Sequence, residues 1–571
     1  EPSDSAAYRR GELVRPVKQL VFYIDSLMPV KWNPYIKAGA ESWNKAFEKI
    51  GFKDVICVKE FPKNDTLFNA NSFDCMTIRY SASWLNSAQT TIHSDTRTGE
   101  ILNASILINA NMISVQYADR IGATVAIDPR VRTTVFPQEI QGELIQAAIA
   151  QAVGTGLGLT MNWGASCAYP VDSLRSASFT QKYGLACSVM GGVIINDVAT
   201  EEDVRNGVCL VNTKPGPYDE LVIKYLYQPI YASSLQEEKE TLDSWIREHT
   251  GDPYYAYIRN QSRFDSDPRN SRGSLGDDHL KSFDYMLPNV RKGFENYYSW
   301  FAKEDRDFLM RRRVHSALSE RLSGRIYAIL SYIGGIYLND IREKDAIPSY
   351  SMVDREKQKA ALSKALELAK NLDWVDDTAH LNEFEISDKK ADRLRLDIFN
   401  GIFGRLPYVE VCTERFPDAA YTASEYLDDI YGIVWEGVLK HRPLENFDRA
   451  LQTAFLESII STSTATAPIG SFKASKTGFA ATGKPEINLA ALRNGGKVDM
   501  KMYSLQNAEE VAGFSSIPPI YTNQTKIAAY YFDLLMRTKD MLKKAISTAP
   551  EADRSHYDLL IYRINKATEI E

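Results

Sequence analysis

The pattern of apolar and polar positions divides the chain into an alternating first half and a helical second half. Gln19–Ile24 reads as a buried strand, and a helix follows from about Pro34. In that helix Ile36, Ala40, Trp43, Phe47 and Ile50 recur at three- and four-residue steps, and Gly51 ends it. The segments DVICVKEF and CMTIRYS predict a second and a third strand. After the turn-like stretch Asp95–Gly99, ILNASILINA predicts a fourth, and a further helix is expected over roughly Pro137–Leu159. Strands alternating with helices imply a mixed sheet with helices packed on it, an α+β class.

From about Val290 the helical period takes over. Leu318, Leu322, Ile326, Ile329, Ile333 and Ile336 share one face of a helix expected over Val314–Tyr337, and Lys357–Leu372 repeats the pattern. A stretch rich in Ser, Thr, Ala and Gly over 461–515 predicts a long loop or insertion, and a last pair of helices closes the chain. The expected organisation is an α/β domain over 12–290 and a mainly α-helical domain over 291–571.

Composition narrows the classes. A chain of 571 residues exceeds one hydrophobic core. With 44% hydrophobic and 25% charged residues it has an ordinary globular make-up. A formal net charge of -7 leaves no electrostatic footprint for nucleic acid, and the short Arg311–Arg313 run reads as a solvated helix start. The six cysteines include no Cys-x-x-Cys pair and are too scattered for a disulfide framework; whether Cys167 and Cys187 are bridged is open. No run of eighteen apolar residues predicts a transmembrane helix. The chain opens at Glu1 without a charged or apolar leader, which reads as a mature or trimmed fragment from which any export signal has already been removed.

The chemistry-bearing stretch is Gln151–Asn162, Q-A-V-G-T-G-L-G-L-T-M-N. It resembles the zinc signature H-E-x-G-H-x-L-G-L-x-H-N of a bacterial family of metzincin-like zinc-dependent proteases common in Bacteroidetes. FYIDSLMPVKWNPYIKAGAESWNKAFEKIGF, DTRTGEILNASI, AYPVDSLRSASFTQKYGLACSVM, SDPRNSRGSLGDD and GGIYLN also look like that family and occur in its order. The resemblance implies a metzincin- or zincin-like mixed sheet with packed helices, followed by the helical domain. It further implies export to the periplasm or cell surface of a Gram-negative bacterium.

In the family, two histidines one helical turn apart bind zinc, and a glycine breaks the helix so that a third histidine reaches the metal. Here the resemblance puts Gln151, Thr155 and Met161 at the ligand positions and Ala152 at the position of the glutamate that activates water. The turn glycine, Gly158, and Asn162 persist. An amide oxygen, a hydroxyl and a thioether are poor partners for zinc, and Ala152 has no group to accept a proton. Loss of a general base alone costs about 10²–10⁴ in rate. No histidine lies between His93 and His249, so no displaced motif can substitute. The family's methionine turn, S-I-M-D-Y, corresponds to Ser188–Gly192, which keeps Met190 and replaces the Asp and Tyr by glycines.

The expectation is therefore a pseudoprotease that carries no zinc and binds a protein or peptide. The alternatives are an active zinc peptidase with unusual ligands, or an assembly subunit. By the resemblance, Ile101–Ile106 is the candidate edge for a docked peptide, with Asn103, Ala104 and Ser105 as its contacts. Other signals are weaker. Gly154–Gly158 lies inside a helical segment, not after a strand, which excludes a dinucleotide loop. Gly478–Lys484 opens like a phosphate loop but continues into Pro485. Asp265, Asp267, Asp277 and Asp278 could bind calcium, although an acidic turn with helix-capping carboxylates accounts for them more simply.

Overall fold

Four of the five strands bury apolar side chains on the same face. In a computed structural model of the protein, β1 (Leu20–Ile24), β2 (Ile56–Glu60), β3 (Met76–Ser81), β4 (Ala88–Ser94) and β5 (Ile101–Asn109) form one sheet of order β2-β1-β3-β5-β4. The structure describes all residues except 63, 66, 84, 86–87, 260–265, 271–273, 344, 381–388, 464–523 and 569–571. Neighbouring strands are parallel save β4, which runs antiparallel to β5. Phe22 and Ile24, Ile56 and Val58, Ile78, and Ala104, Ile106 and Ile108 alternate onto one buried face, as a period of two requires.

Helices cover that face. α1 (Asn33–Glu41) follows β1, α2 (Ala110–Thr124) continues directly from β5, and α3 (Gln138–Gly156) packs on α1 and against β4 and β5. The apolar stripe read from Ile36 to Ile50 is buried, but a break at Ser42–Trp43 divides it into α1 and a short helical turn over Asn44–Glu48. The same unit also includes α4 (Pro217–Tyr227), α5 (His279–Phe301) and α6 (Leu309–Leu330) among its further helices.

The chain separates into two compact units. The first comprises Glu1–Ser331, Tyr337–Ser351 and Asp373–Lys390; the second comprises Tyr332–Ile336, Met352–Leu372 and Ala391–Glu571. The first unit thus runs past residue 290 and takes in α5 and α6, because α6 packs on α2 as well as on α5. α6 stops at Leu330, so Ile333 and Ile336, though buried, lie beyond it. The second unit is helical: α7 (Arg355–Lys370), α8 (Lys390–Phe403), α9 (Leu406–Arg415), α10 (Ala423–Val434), α11 (Asn446–Ser463), α12 (Gln524–Ala545) and α13 (Glu551–Thr568). The Ser/Thr/Gly-rich stretch from 464 to 515 and Gly478–Lys484 lie outside the described residues. No described helix is long and apolar enough to cross a membrane.

The sequence pattern overlooks β4, so the strand read as fourth is the fifth. Consequently Ile101–Ile106 is not the edge expected from sequence. β5 lies between β3 and β4, and β4 is the terminal strand. AQTTIHS buries only Thr90 fully and has little apolar content to signal a strand.

Candidate functional site

The helix that carries the signature is held in place before any of the signature's own side chains matter. Trp43 is fully buried and its indole Nε1 donates to Ala150 O at 2.8 Å. Thr90 Oγ1, from the edge strand, donates to Ala152 O at 2.9 Å. Between these clamps lies Gly154. A Cβ there would stand 2.5 Å from Trp43 Cζ2 and 2.6 Å from Met190 Sδ, so only glycine lets the indole and the thioether meet the helix backbone. Met190, buried completely, therefore sits under the helical turn between positions 151 and 155.

α3 ends where the signature requires. Gly158 adopts φ +92°, a left-handed conformation that redirects the chain after Leu157. Tyr227 on α4 donates to Leu157 O at 2.8 Å, and burial pushes its phenol up to about 12. The redirected chain brings Met161 back to the helix, where Gln151 Nε2 lies 3.1 Å from Met161 Sδ. Thr155 Oγ1 donates to Gln151 O at 3.3 Å. Two ligands in a tetrahedral shell with bonds of about 2.1 Å stand roughly 3.4 Å apart. The side chains of Gln151 and Met161 thus lie in direct contact, closer than that spacing, and Gln151, Thr155 and Met161 all remain partly open to solvent.

The donors at these positions do not suit zinc. The oxygen of Gln151 is neutral, the Thr155 hydroxyl is a weaker donor still, and the Met161 thioether is soft. Nothing here supplies the charge or imidazole nitrogen that offsets dehydration of the ion. Among the described residues no group of three His, Cys, Asp or Glu side chains could hold a metal. Ala152, at the position of the base, is buried and offers only its backbone.

Asn162 fastens the third ligand position to its surroundings. Its own N–H donates to Met190 O at 3.0 Å. Its side chain donates to Ala256 O at 2.9 Å and accepts from Gly164 N at 3.2 Å and Ile258 N at 3.1 Å. Through its backbone N–H and its carboxamide together, Asn162 joins three segments. Tyr257, between Ala256 and Ile258, accepts from Thr160 Oγ1 at 3.2 Å at the rim.

The methionine turn rests on Asp219, which sequence reasoning missed. Asp219 is fully buried and accepts from Ser188 Oγ at 2.5 Å, Val189 N at 2.9 Å and Gly216 N at 2.9 Å. Ser188 Oγ in turn accepts from Met190 N at 2.9 Å. As the third residue of α4, Asp219 caps its own helix through Gly216 and pins the turn beneath the site with the same group. Burial pushes its pKa up to about 7, opposed by these hydrogen bonds. The available signal was Gly216-Pro217 followed by an acid at the third helical position. Gly191 is not loose: a Cβ there would stand 3.0 Å from that of Ala165.

Other expected residues separate. Ala104 faces α3, where a Cβ on Gly156 would lie 3.1 Å from its own, whereas Asn103 and Ser105 point to the opposite face of the sheet. Cys167 and Cys187 are both buried free thiols, and burial raises the pKa of each. Of the acidic cluster, Asp265 lies outside the described residues. Asp267 pairs with Arg269, Asp277 accepts from Val171 N, and Asp278 caps α5. The carboxylates that are described thus serve separate structural roles.

Neither a curated protein nor a solved structure matches the chain. A family described as Met-zincin matches residues 133–442, more than half of the 571-residue chain. That span covers α3, Asn162 and the methionine turn, and the chain belongs to the Met-zincin family.

Proposed function

We propose that this chain is a pseudoprotease: a Met-zincin relative with a degenerate motif that holds no catalytic zinc and binds extended peptide or protein segments. The observation that carries the reading is the substitution of all four chemical positions, Gln151, Ala152, Thr155 and Met161, on a frame whose buried supports are complete. Metal-assisted hydrolysis needs ligands and a base; this site offers neither. A bound segment would lie along β4, whose outer side pairs with no other strand among the described residues, by strand addition. The resemblance to exported Bacteroidetes proteins supports placement in the periplasm or at the cell surface.

Elemental analysis after dialysis against zinc-containing buffer tests the metal claim. Zinc far below one ion per chain is expected, together with no chelator-sensitive cleavage of casein. Stoichiometric zinc, lost in Met161→Ala along with casein cleavage, would overturn it. Peptide docking is tested by hydrogen exchange of the full chain with a randomised decapeptide pool. Protection should concentrate in residues 88–94, and unchanged exchange there sinks the docking claim.

A further inference from the structure

The face of the sheet turned away from α3 carries a cavity. The register pairs Thr91 with Ser105, His93 with Asn103, and Arg79 with Leu107, so these side chains emerge on one side. The connection between β2 and β3 folds over them. Asn103 Nδ2 donates to Phe73 O at 2.8 Å and Cys75 O at 3.0 Å. Arg79 Nη2 donates to Ala70 O and to Asn71 Oδ1, the latter at 2.8 Å. The space these residues line is an open cleft of about 310 Å³, the lower end of the range for small-ligand sites.

Its charge is one-sided. Among the described residues, no Asp or Glu lines the cavity. Arg79 spends Nη2 on neutral oxygens, and among the described residues no carboxylate pairs with it. His93 meets the Phe73 ring at 5.6 Å and forms no hydrogen bond among the described residues. The Thr91 hydroxyl, exposed beside them, likewise has no partner among the described residues. A partly buried guanidinium without a counter-charge is costly, and its remaining N–H groups match the planar fork that carboxylates and phosphates accept.

We propose that this cavity binds a small ligand through a carboxylate or phosphate group seated on Arg79, with Thr91 and His93 donating at its sides. Asn103 and Ser105 shape the floor. The site is separate from the former metal position, since Thr90 faces α3 and its neighbour Thr91 faces the cavity.

Calorimetric titration of the full chain with inorganic phosphate and with glucuronate, using glucose as the neutral control, tests this. Saturable binding of at least one anion and none of glucose is expected. The preferred anion identifies the head group. Arg79→Gln should weaken binding about tenfold or more. Because Arg79 also holds the 70–71 backbone, Thr91→Asp supplies a second variant. It adds a carboxylate at an exposed position and should abolish binding with the melting temperature unchanged. Gln151→Ala should leave binding intact. Absence of saturable binding by both anions, or binding that survives both Arg79→Gln and Thr91→Asp, overturns the proposal.

Discussion

The positions that the resemblance sets against the zinc motif, and the frame beneath them, are joined to the molecule in opposite ways. Hydrogen bonds from the side chains of Gln151 and Thr155 end within the motif, on Met161 and on Gln151 itself. Asn162, Ser188 and Asp219, by contrast, are fully buried and connect segments far apart in sequence. Ligand residues serve the metal and make few other contacts, so their replacement leaves the fold's supports untouched. The frame has no such freedom, because each buried donor left without an acceptor costs about 1–3 kcal/mol.

The sharpest way to break the comparison is to give the frame its ligands back. If the geometry is intact, Gln151→His, Ala152→Glu, Thr155→His and Met161→His together should yield a chain that takes up about one zinc ion. At free zinc of about 1,000 times Kd the metal would stabilise it by roughly 4 kcal/mol, read as a zinc-dependent rise in melting temperature absent from the parent. Failure to bind zinc in a folded variant would show that the frame has drifted as well.

The next largest effect is expected at the support. Asp219→Ala strands the Ser188 hydroxyl and two backbone N–H groups and should cost about 3 kcal/mol or more in urea unfolding. Asp219→Asn separates charge from shape. Because burial holds the folded pKa near 7, above the unfolded value of about 3.9, the folded state binds the extra proton between these limits. The contribution of this group is therefore fully present below about pH 4 and is lost as pH rises through about 7. Asp219→Asn, which cannot ionise, should flatten that part of the pH–stability curve; parallel curves for the two proteins would show that Asp219 does not titrate there.

Gly154→Ala sharpens the same contrast with a single methyl group. The new Cβ meets Trp43 and Met190, and overpacking of this kind costs about 1–3 kcal/mol, outweighing the roughly 1 kcal/mol that alanine gains in helix propensity. A stabilised variant would show that the packing under the site is slack.

What could be read from the sequence follows the same division. The resemblance to the zinc signature places positions 151, 155 and 161 together, and the helix turn and Gly158 break that serve it are local features. β1, β2, β3 and β5 announce themselves by alternation of apolar residues, but β4 does not: a terminal strand such as Ala88–Ser94 need not be apolar. α2 was also hidden, because it buries Gln116 and Arg120 and so lacks a clean apolar stripe. Asp219 was invisible for a different reason. Its cap on Gly216 is local, but its partners Ser188 and Val189 are brought to it by the fold, and no periodicity records that meeting. Asn103 and Ser105 were singled out for docking on an edge they do not form; the register turns them toward the opposite cavity instead.

The smallest effects should fall on the former ligands. Gln151→Ala, Thr155→Val and Met161→Leu each remove a partly solvated side chain whose hydrogen bond stays within the motif. An amide-to-thioether contact is weak because sulfur accepts poorly, and water can replace either partner at an open surface. Each change should therefore shift unfolding by less than about 1 kcal/mol, against the threefold or larger cost expected at Asp219. The three together should remain close to additive unless Gln151 and Met161 are coupled, which a double-mutant cycle would report directly. A loss of several kcal/mol at any one of them would mean that the former metal face has been rebuilt as part of the core, and the division between replaceable ligands and fixed frame would no longer hold.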